Sequence, residues 1–137
     1  MRSLIVALLL ISTAAFAEQL GRDSFVAFLQ QFEENREFQQ NNITYPLPYS
    51  FVDSEAEPEP ATVDQRLLKA EVIARKEPIY PTPQVQQSVP LMREIKNQSP
   101  TGKIVRLYKP DTGYLLEYHF ALMDGHWRLV KFENLSI

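Results

Sequence analysis

The side chains best suited to chemistry lie in the last third of the sequence, where Glu117 precedes His119 by two residues. A carboxylate next to an imidazole can orient the ring, and this arrangement is typical of a general base. Arg106 or Arg128 could bind a ligand carboxylate through two parallel hydrogen bonds. The candidate ligand-binding residues are therefore Arg106, Tyr108, Glu117, His119 and Arg128.

Other catalytic or metal-binding patterns are absent from the sequence. It has no Cys, its four glycines do not form a phosphate-binding loop, and it lacks both Gly-x-Ser-x-Gly and His-Glu-x-x-His. The two histidines, His119 and His126, do not have the spacing of a zinc motif. We therefore assign no catalytic residue, metal or cofactor from the sequence.

Two functions remain open for the candidate residues. The favoured one is non-catalytic binding of a small ligand or a protein partner, with Arg106 and Glu117 forming an ordinary cross-strand ion pair. The alternative is a small acid/base enzyme that uses His119 together with Glu117. A binding or structural role is preferred because no complete catalytic motif accompanies the histidine.

Three consecutive antiparallel strands are predicted to position these residues: Lys103–Lys109, Tyr114–Leu122 and His126–Phe132. Asp124-Gly125 is typical of a two-residue hairpin turn, because Gly and Asp tolerate the positive φ that such turns require. Pro110-Asp111-Thr112-Gly113 is typical of a four-residue turn. The end of the chain therefore predicts a meander.

The two turns fix the register of this meander. The second hairpin pairs Leu122 with Trp127, Phe120 with Leu129 and Tyr118 with Lys131, and the first pairs Lys109 with Tyr114, Leu107 with Leu116 and Val105 with Tyr118. Side chains alternate between the faces of a strand. The predicted core face holds Val105, Leu107, Tyr114, Leu116, Tyr118, Phe120, Leu122, Trp127 and Leu129. The other face is mixed and holds Ile104, Arg106, Tyr108, Leu115, Glu117, His119, Ala121, Arg128, Val130 and Phe132. A bulge in the middle strand would exchange the faces beyond it.

The N-terminus is typical of a signal peptide over residues 1–17. Met1-Arg2 supplies a positive charge, Leu4–Ile11 is apolar, and Ala15-Phe16-Ala17 is a small-x-small cleavage site. The apolar run is shorter than the ~20 residues that a membrane span requires. The sequence therefore predicts cleavage after Ala17 and export to the periplasm or the medium.

Residues 18–137 are predicted to form a single α+β domain with a mobile acidic loop at 53–61. Arg22–Glu34 is predicted to be an amphipathic helix, because four apolar residues share one of its faces: Phe25, Phe28, Leu29 and Phe32. Ile43–Leu47 is predicted to be an edge strand or an extended entry into one, since Pro46 cannot donate to a ladder. Asp53–Pro60 carries four acids and two prolines and cannot bury apolar surface.

The sequence patterns in the middle of the chain fit more than one kind of secondary structure. Thr62–Lys76 fits either a helix or a strand, and its alternation favours a strand over Leu67–Arg75. A helix is expected to start at Pro83, with Thr82 as its N-cap, or after Pro90 over Leu91–Asn97. The sheet could accordingly have three, four or five strands.

The order of these segments resembles a known group of proteins. The Phe-rich first helix is followed by Glu37-Phe38-Gln39, by Ile43–Leu47 and by a meander that closes on His126–Asn134. The chain thereby resembles small exported bacterial domains of unknown function with a cystatin-like, nuclear transport factor 2-like (NTF2-like) fold. The resemblance implies a curved antiparallel sheet that wraps a helix. It implies no activity, because the acid/base pairs of the superfamily's enzymes have no counterpart here.

Charge and exposed apolar surface limit the partners. A net charge of −3 argues against nucleic acid, which is bound by clustered Lys and Arg. The mixed face carries apolar residues, such as Ile104, Val130 and Phe132, that need a cover of chain, ligand or protein. We expect an unknown protein or small molecule as partner, with a homodimer through the sheet face as one option.

Overall fold

A six-stranded sheet dominates the part of the chain that the computed structural model describes, residues 24–137. The predicted signal peptide and the first residues of the predicted helix Arg22–Glu34 lie outside the described residues. The strands are β1 (Leu47–Asp53), β2 (Ala61–Leu67), β3 (Met92–Ser99), β4 (Gly102–Tyr108), β5 (Leu115–Met123) and β6 (His126–Asn134). The helical segments are α1 (24–34 within the described part), α2 (Arg36–Asn41), α3 (Lys69–Ala74) and α4 (Pro83–Ser88).

The strand order is β2-β1-β6-β5-β4-β3. The predicted meander is confirmed as β4, β5 and β6, which are neighbours and antiparallel. The α+β class is also confirmed, although the sheet is mixed because β1 runs parallel to β6. It has more strands than the sequence indicated, since β1, β2 and β3 extend the meander on both sides.

A bulge in β6 changes the predicted register. Phe120 pairs with Leu129 as expected, but the next pair is His119 with Lys131, so Val130 is an extra residue. Tyr118 consequently pairs with Phe132, and the predicted pairing of Tyr118 with Lys131 is wrong. The extra residue reverses the alternation beyond it. Phe132 is therefore buried in the core, and its assignment to the mixed face is wrong.

The core lies between α1 and the predicted apolar face of the meander. Phe25, Phe28 and Phe32 of α1 all pack edge-on against Phe120, with ring centroids 5.3–5.7 Å apart. Such edge-to-face pairs add to the stabilisation that burial provides. The aromatic stripe is therefore core, as predicted. Of the residues predicted for the core face, Leu122 is only partly buried, and Tyr114, which precedes β5, is 37% exposed and does not join the core.

Of two segments in the middle of the chain, one differs from the sequence prediction and the other agrees with it. The strand predicted over Leu67–Arg75 is wrong, because the segment divides into β2 and α3. Glu71 accepts a hydrogen bond from the backbone N–H of Leu68 at 3.2 Å and closes the first turn of α3. The N-terminus of α4 agrees with the prediction, since Thr82 Oγ1 accepts from the N–H of Val85.

Strands β1 and β3 also differ from what the sequence indicated. In place of a helix over Leu91–Asn97, the chain forms β3, which pairs along its length with β4. β1 begins at Leu47, one residue after Pro46, whereas Ile43 forms only an isolated bridge to Leu129. The acidic segment connects β1 to β2. Within residues 24–137, no helix has the length and hydropathy needed to cross a bilayer.

Candidate functional site

The five candidate residues lie on the face of the sheet that points away from the aromatic core, here called the outer face. Burial alternates along β4 and β5, with the candidate positions partly exposed between buried neighbours. The structure brings Arg106, Glu117 and His119 together. Tyr108 and Arg128 lie towards opposite ends of the face, and within residues 24–137 neither side chain has a hydrogen bond or an ion pair.

Arg106 and Glu117 form a cross-strand ion pair. They occupy directly opposite positions on β4 and β5, as the turn geometry predicted. Both Nε and Nη2 of the arginine donate to Glu117 Oε1, at 3.1 and 2.6 Å. The side chains are 30% and 13% exposed, so solvent screens the pair only in part. One oxygen of Glu117 is thus occupied, while Oε2 faces His119.

His119 lies between two carboxylates, and the nearer one belongs to Glu133. Its Nε2 is 2.9 Å from Glu133 Oε1 and 3.9 Å from Glu117 Oε2. The shorter contact does not have the geometry of a hydrogen bond, so Nε2 has no hydrogen-bond partner among residues 24–137 although it is covered. Lys131 Nζ lies 3.3 Å from the same Glu133 oxygen.

Glu133 and Lys131 are the members of this site that sequence reasoning missed. Strict alternation turns both residues towards the helices, whereas the bulge at Val130 turns them outward. The spacing of the large apolar residues in the sequence could have indicated the bulge. Trp127 and Leu129 are two residues apart, as strict alternation requires, but the next buried residue, Phe132, is three residues further on. We call a group of five titratable residues on the outer face the ionic band: Arg106, Glu117, His119, Lys131 and Glu133.

The outer face continues across β1 and β2. Ser50 lies beside Glu133 in the parallel ladder and faces Asp64 on β2. A groove of about 470 Å³ opens here, and its lining is largely polar. The groove residues are Pro48, Tyr49, Ser50, Asp64, Gln65, Arg66 and Lys131. Lys131 therefore joins the groove to the ionic band.

A second groove, of about 360 Å³, lies where α1 and α2 meet the turn between β5 and β6. Phe28, Phe38 and Trp127 give it apolar walls, and His126 stands at its margin. The second histidine is thus exposed and separate from the ionic band. It contributes no ligand to the group around His119.

Two buried tyrosines on the helix side connect the sheet to neighbouring segments through their hydroxyl groups. Tyr118 donates its hydroxyl proton to the carbonyl of Ile79 at 2.6 Å, and Tyr80 donates to Glu33 Oε1 at 2.9 Å. Burial raises the pKa of both phenols, and the Glu33 carboxylate adds to the rise at Tyr80. A phenol with a raised pKa stays protonated at neutral pH, so both hydroxyls remain hydrogen-bond donors. Arg93 pairs with Glu33 at 2.7 Å and completes the network.

Comparison with solved structures places the fold among NTF2-like and cystatin-like proteins. The chain is similar to an NTF2-like protein from Bacteroides fragilis, with 22% identity and a TM-score of 0.59 over 82% of this chain and 47% of that one. It is also similar to a cystatin-like protein from Bacteroides caccae, with 15% identity and a TM-score of 0.52 over 80% and 74%. The chain thus spans about half the length of the B. fragilis protein.

Sequence comparisons add no family. No protein-family model matches the chain, and no curated protein matches it. At these identities the structural likeness shows the fold alone. The expected NTF2-like or cystatin-like architecture is therefore confirmed, and function must be argued from the site.

Proposed function

We propose that this protein is an exported, non-catalytic binding domain that recognises a protein partner through the outer face of its sheet. The observation that carries this proposal is the ionic band, which crosses β4, β5 and β6 on a face that stays open to solvent. Its side chains are 13–47% exposed, so no described segment seals them. Charges held in place by their neighbours can recognise a complementary surface without being reordered.

The shape of the face favours a protein over a small molecule. Small-molecule sites are concave and bury most of the ligand surface. The ionic band instead lies on the strands themselves, and the neighbouring groove along Ser50 and Asp64 is polar and open. A face on which charged and partly exposed apolar side chains lie side by side offers a protein partner both polar and apolar contacts.

A second copy of the chain is the partner that fits best. A two-fold symmetric interface must be self-complementary, and this face offers both signs of charge at short intervals. Six strands of about eight residues span about 750 Å². That is slightly below the ~800 Å² that each partner buries in a standard interface, which favours a weak dimer. Ile104 and Leu115 supply partly exposed apolar surface between the charges.

The export component of the proposal is supported by the N-terminal sequence. A basic start, an apolar run and a small-x-small site precede Glu18. The absence of Cys is compatible with an oxidising compartment, because such a chain has no thiol to oxidise. Stabilisation would then come from packing of the aromatic core.

The alternative is a small acid/base enzyme. It is supported by the contact between His119 and carboxylates of Glu117 and Glu133 on a partly exposed face. A general base must reach the substrate proton directly or through one water. Nε2 of His119 is covered by its neighbours, and the two grooves are lined by other residues. The binding role is therefore preferred.

Self-association of the purified protein tests the proposal. Ile104 pairs with His119 at the middle of the outer face, so Ile104→Glu would place an unpaired charge within the interface. We expect the unchanged protein to dimerise with a dissociation constant of about micromolar and the variant to bind at least about tenfold more weakly. Sedimentation velocity over a concentration series measures both.

Ile73→Glu is the matched control. It introduces the same charge at an apolar residue that is 50% exposed, but Ile73 lies on the helix α3 and not on the outer face of the sheet. It should dimerise like the unchanged protein. A strictly monomeric protein at all concentrations would contradict the proposal. Equal association of the Ile104→Glu variant and the unchanged protein would contradict it as well.

A further inference from the structure

We propose that Glu117, His119 and Glu133 form a binding site for a divalent transition-metal ion. One donor atom from each of the three side chains can be chosen so that all lie within 4.8 Å of one another. Two donors come from alternate positions of β5, and the third comes from the β6 position directly opposite Glu117. This inference does not rest on the dimer proposed above, because all three residues belong to one chain.

The donor set fits a first-row transition metal. Imidazole nitrogen suits zinc and iron, and carboxylate oxygen is compatible with both, whereas calcium and magnesium prefer oxygen alone. Metal–ligand bonds of about 2.0–2.2 Å place neighbouring donors about 3–3.5 Å apart. The Nε2 of His119 is already 2.9 Å from one Glu133 oxygen and 3.9 Å from one Glu117 oxygen. Small side-chain rotations would therefore complete the geometry.

The position of the His119 nitrogen is compatible with a bound ion, because it lies against a carboxylate without forming a hydrogen bond to it. Nε2 has less than 1 Å² of accessible surface and no hydrogen-bond partner in the described structure, although Glu133 Oε1 lies 2.9 Å away and the whole side chain is 25% exposed. Covered polar atoms in native proteins nearly always have a partner. A metal ion bound to the nitrogen lone pair would satisfy this atom and neutralise the two carboxylates at the same time.

The surrounding cations would orient the carboxylates as ligands. Arg106 holds Oε1 of Glu117, which leaves Oε2 directed at His119. Lys131 lies 3.3 Å from Oε1 of Glu133 and restrains that carboxylate. Partners of this kind fix the orientation of ligating groups. Because the three ligand side chains are 13–25% exposed, a water molecule can reach a fourth position from the open side.

Calorimetric titration with zinc chloride after chelator treatment tests this site. We expect saturable binding of one ion per chain, a dissociation constant of micromolar or tighter, and no comparable binding of magnesium. His119→Ala should weaken zinc binding at least tenfold, and Glu133→Gln should also weaken it. His126→Ala is the matched control and should leave the affinity unchanged, because this exposed histidine lies beside the turn at the start of β6.

Thermal unfolding provides a second readout and checks that each variant is folded. Saturating zinc should raise the midpoint of the unchanged protein and of the His126→Ala variant, but not of His119→Ala, since a ligand stabilises only the state that binds it. No saturable binding by the unchanged protein would overturn the proposal and leave the group as an ion-pair network. Equal binding by the His119→Ala variant would overturn it too. Neither result affects the dimer, which sedimentation measures without metal.

Discussion

At the scale of single residues, buried hydroxyl groups fix the helix side of the sheet. Tyr118 is fully buried in the middle of β5, and its hydroxyl donates to the carbonyl of Ile79. This bond ties the segment before α4 to the centre of the sheet. A buried carbonyl that loses its hydrogen-bond donor is left unsatisfied, and its desolvation penalty then lowers the stability of the fold.

Tyr118→Phe should therefore lower the free energy of unfolding by about 1–3 kcal/mol, because the Ile79 carbonyl is left without this partner. Urea denaturation measures the change. Tyr108→Phe is the matched control, since Tyr108 lies on the outer face without a hydrogen bond among the described residues, and it should change stability little. A loss of equal size in both variants would show that the hydroxyl contact to Ile79 contributes nothing specific.

At the scale of elements, one buried glutamine connects α2 to the segment that leads into α4. The amide nitrogen of Gln39 donates to the carbonyls of Phe32 and Tyr80, at 3.0 and 3.2 Å. Its amide oxygen accepts from the backbone N–H of Tyr80 at 3.2 Å. With 2% of its surface exposed, this side chain satisfies backbone groups that no strand or helix satisfies.

Gln39→Leu should cost about 1–3 kcal/mol of stability, because it keeps the volume of the side chain but leaves these buried groups unpaired. Gln40→Leu in the same helix serves as the control, since the Gln40 side chain has no hydrogen bond among residues 24–137 and its backbone carbonyl, which accepts from Tyr45, is unchanged. Denaturant unfolding of both variants gives the comparison. Equal stability of the Gln39→Leu variant and the unchanged protein would contradict this account of the connection.

The sequence predicted local elements well and long-range pairing poorly. Turn chemistry at Asp124-Gly125 and at Pro110–Gly113 was sufficient to place β4, β5 and β6. The parallel contact of β1 with β6 depends on a connection across most of the chain, which periodicity does not encode. The segment 62–76 was misassigned because short helices and strands with mixed burial have similar patterns.

The same contrast applies to the site. Arg106, Glu117 and His119 could be placed together from the first hairpin alone, because their register depends on one turn. Glu133 could not, since its direction depends on the extra residue at Val130. A single bulge thus decides whether the imidazole faces one carboxylate or two.

At the scale of the whole molecule, the sheet separates two environments. One face packs against the aromatic residues of α1, and together they form the hydrophobic core. The other face carries the ionic band and remains partly exposed in the described part of the chain. We infer that the first face stabilises the protein and that the second recognises a partner.

Concentration-dependent backbone amide chemical shifts test this inference most directly. On dilution from a dimeric to a monomeric sample, we expect the largest shift changes at outer-face positions around Ile104, Glu117 and His119. Amides of α3 near Ile73 should change little. Changes confined to the edge strands β2 and β3, or to the helices, would contradict the assignment of the outer face as the contact surface.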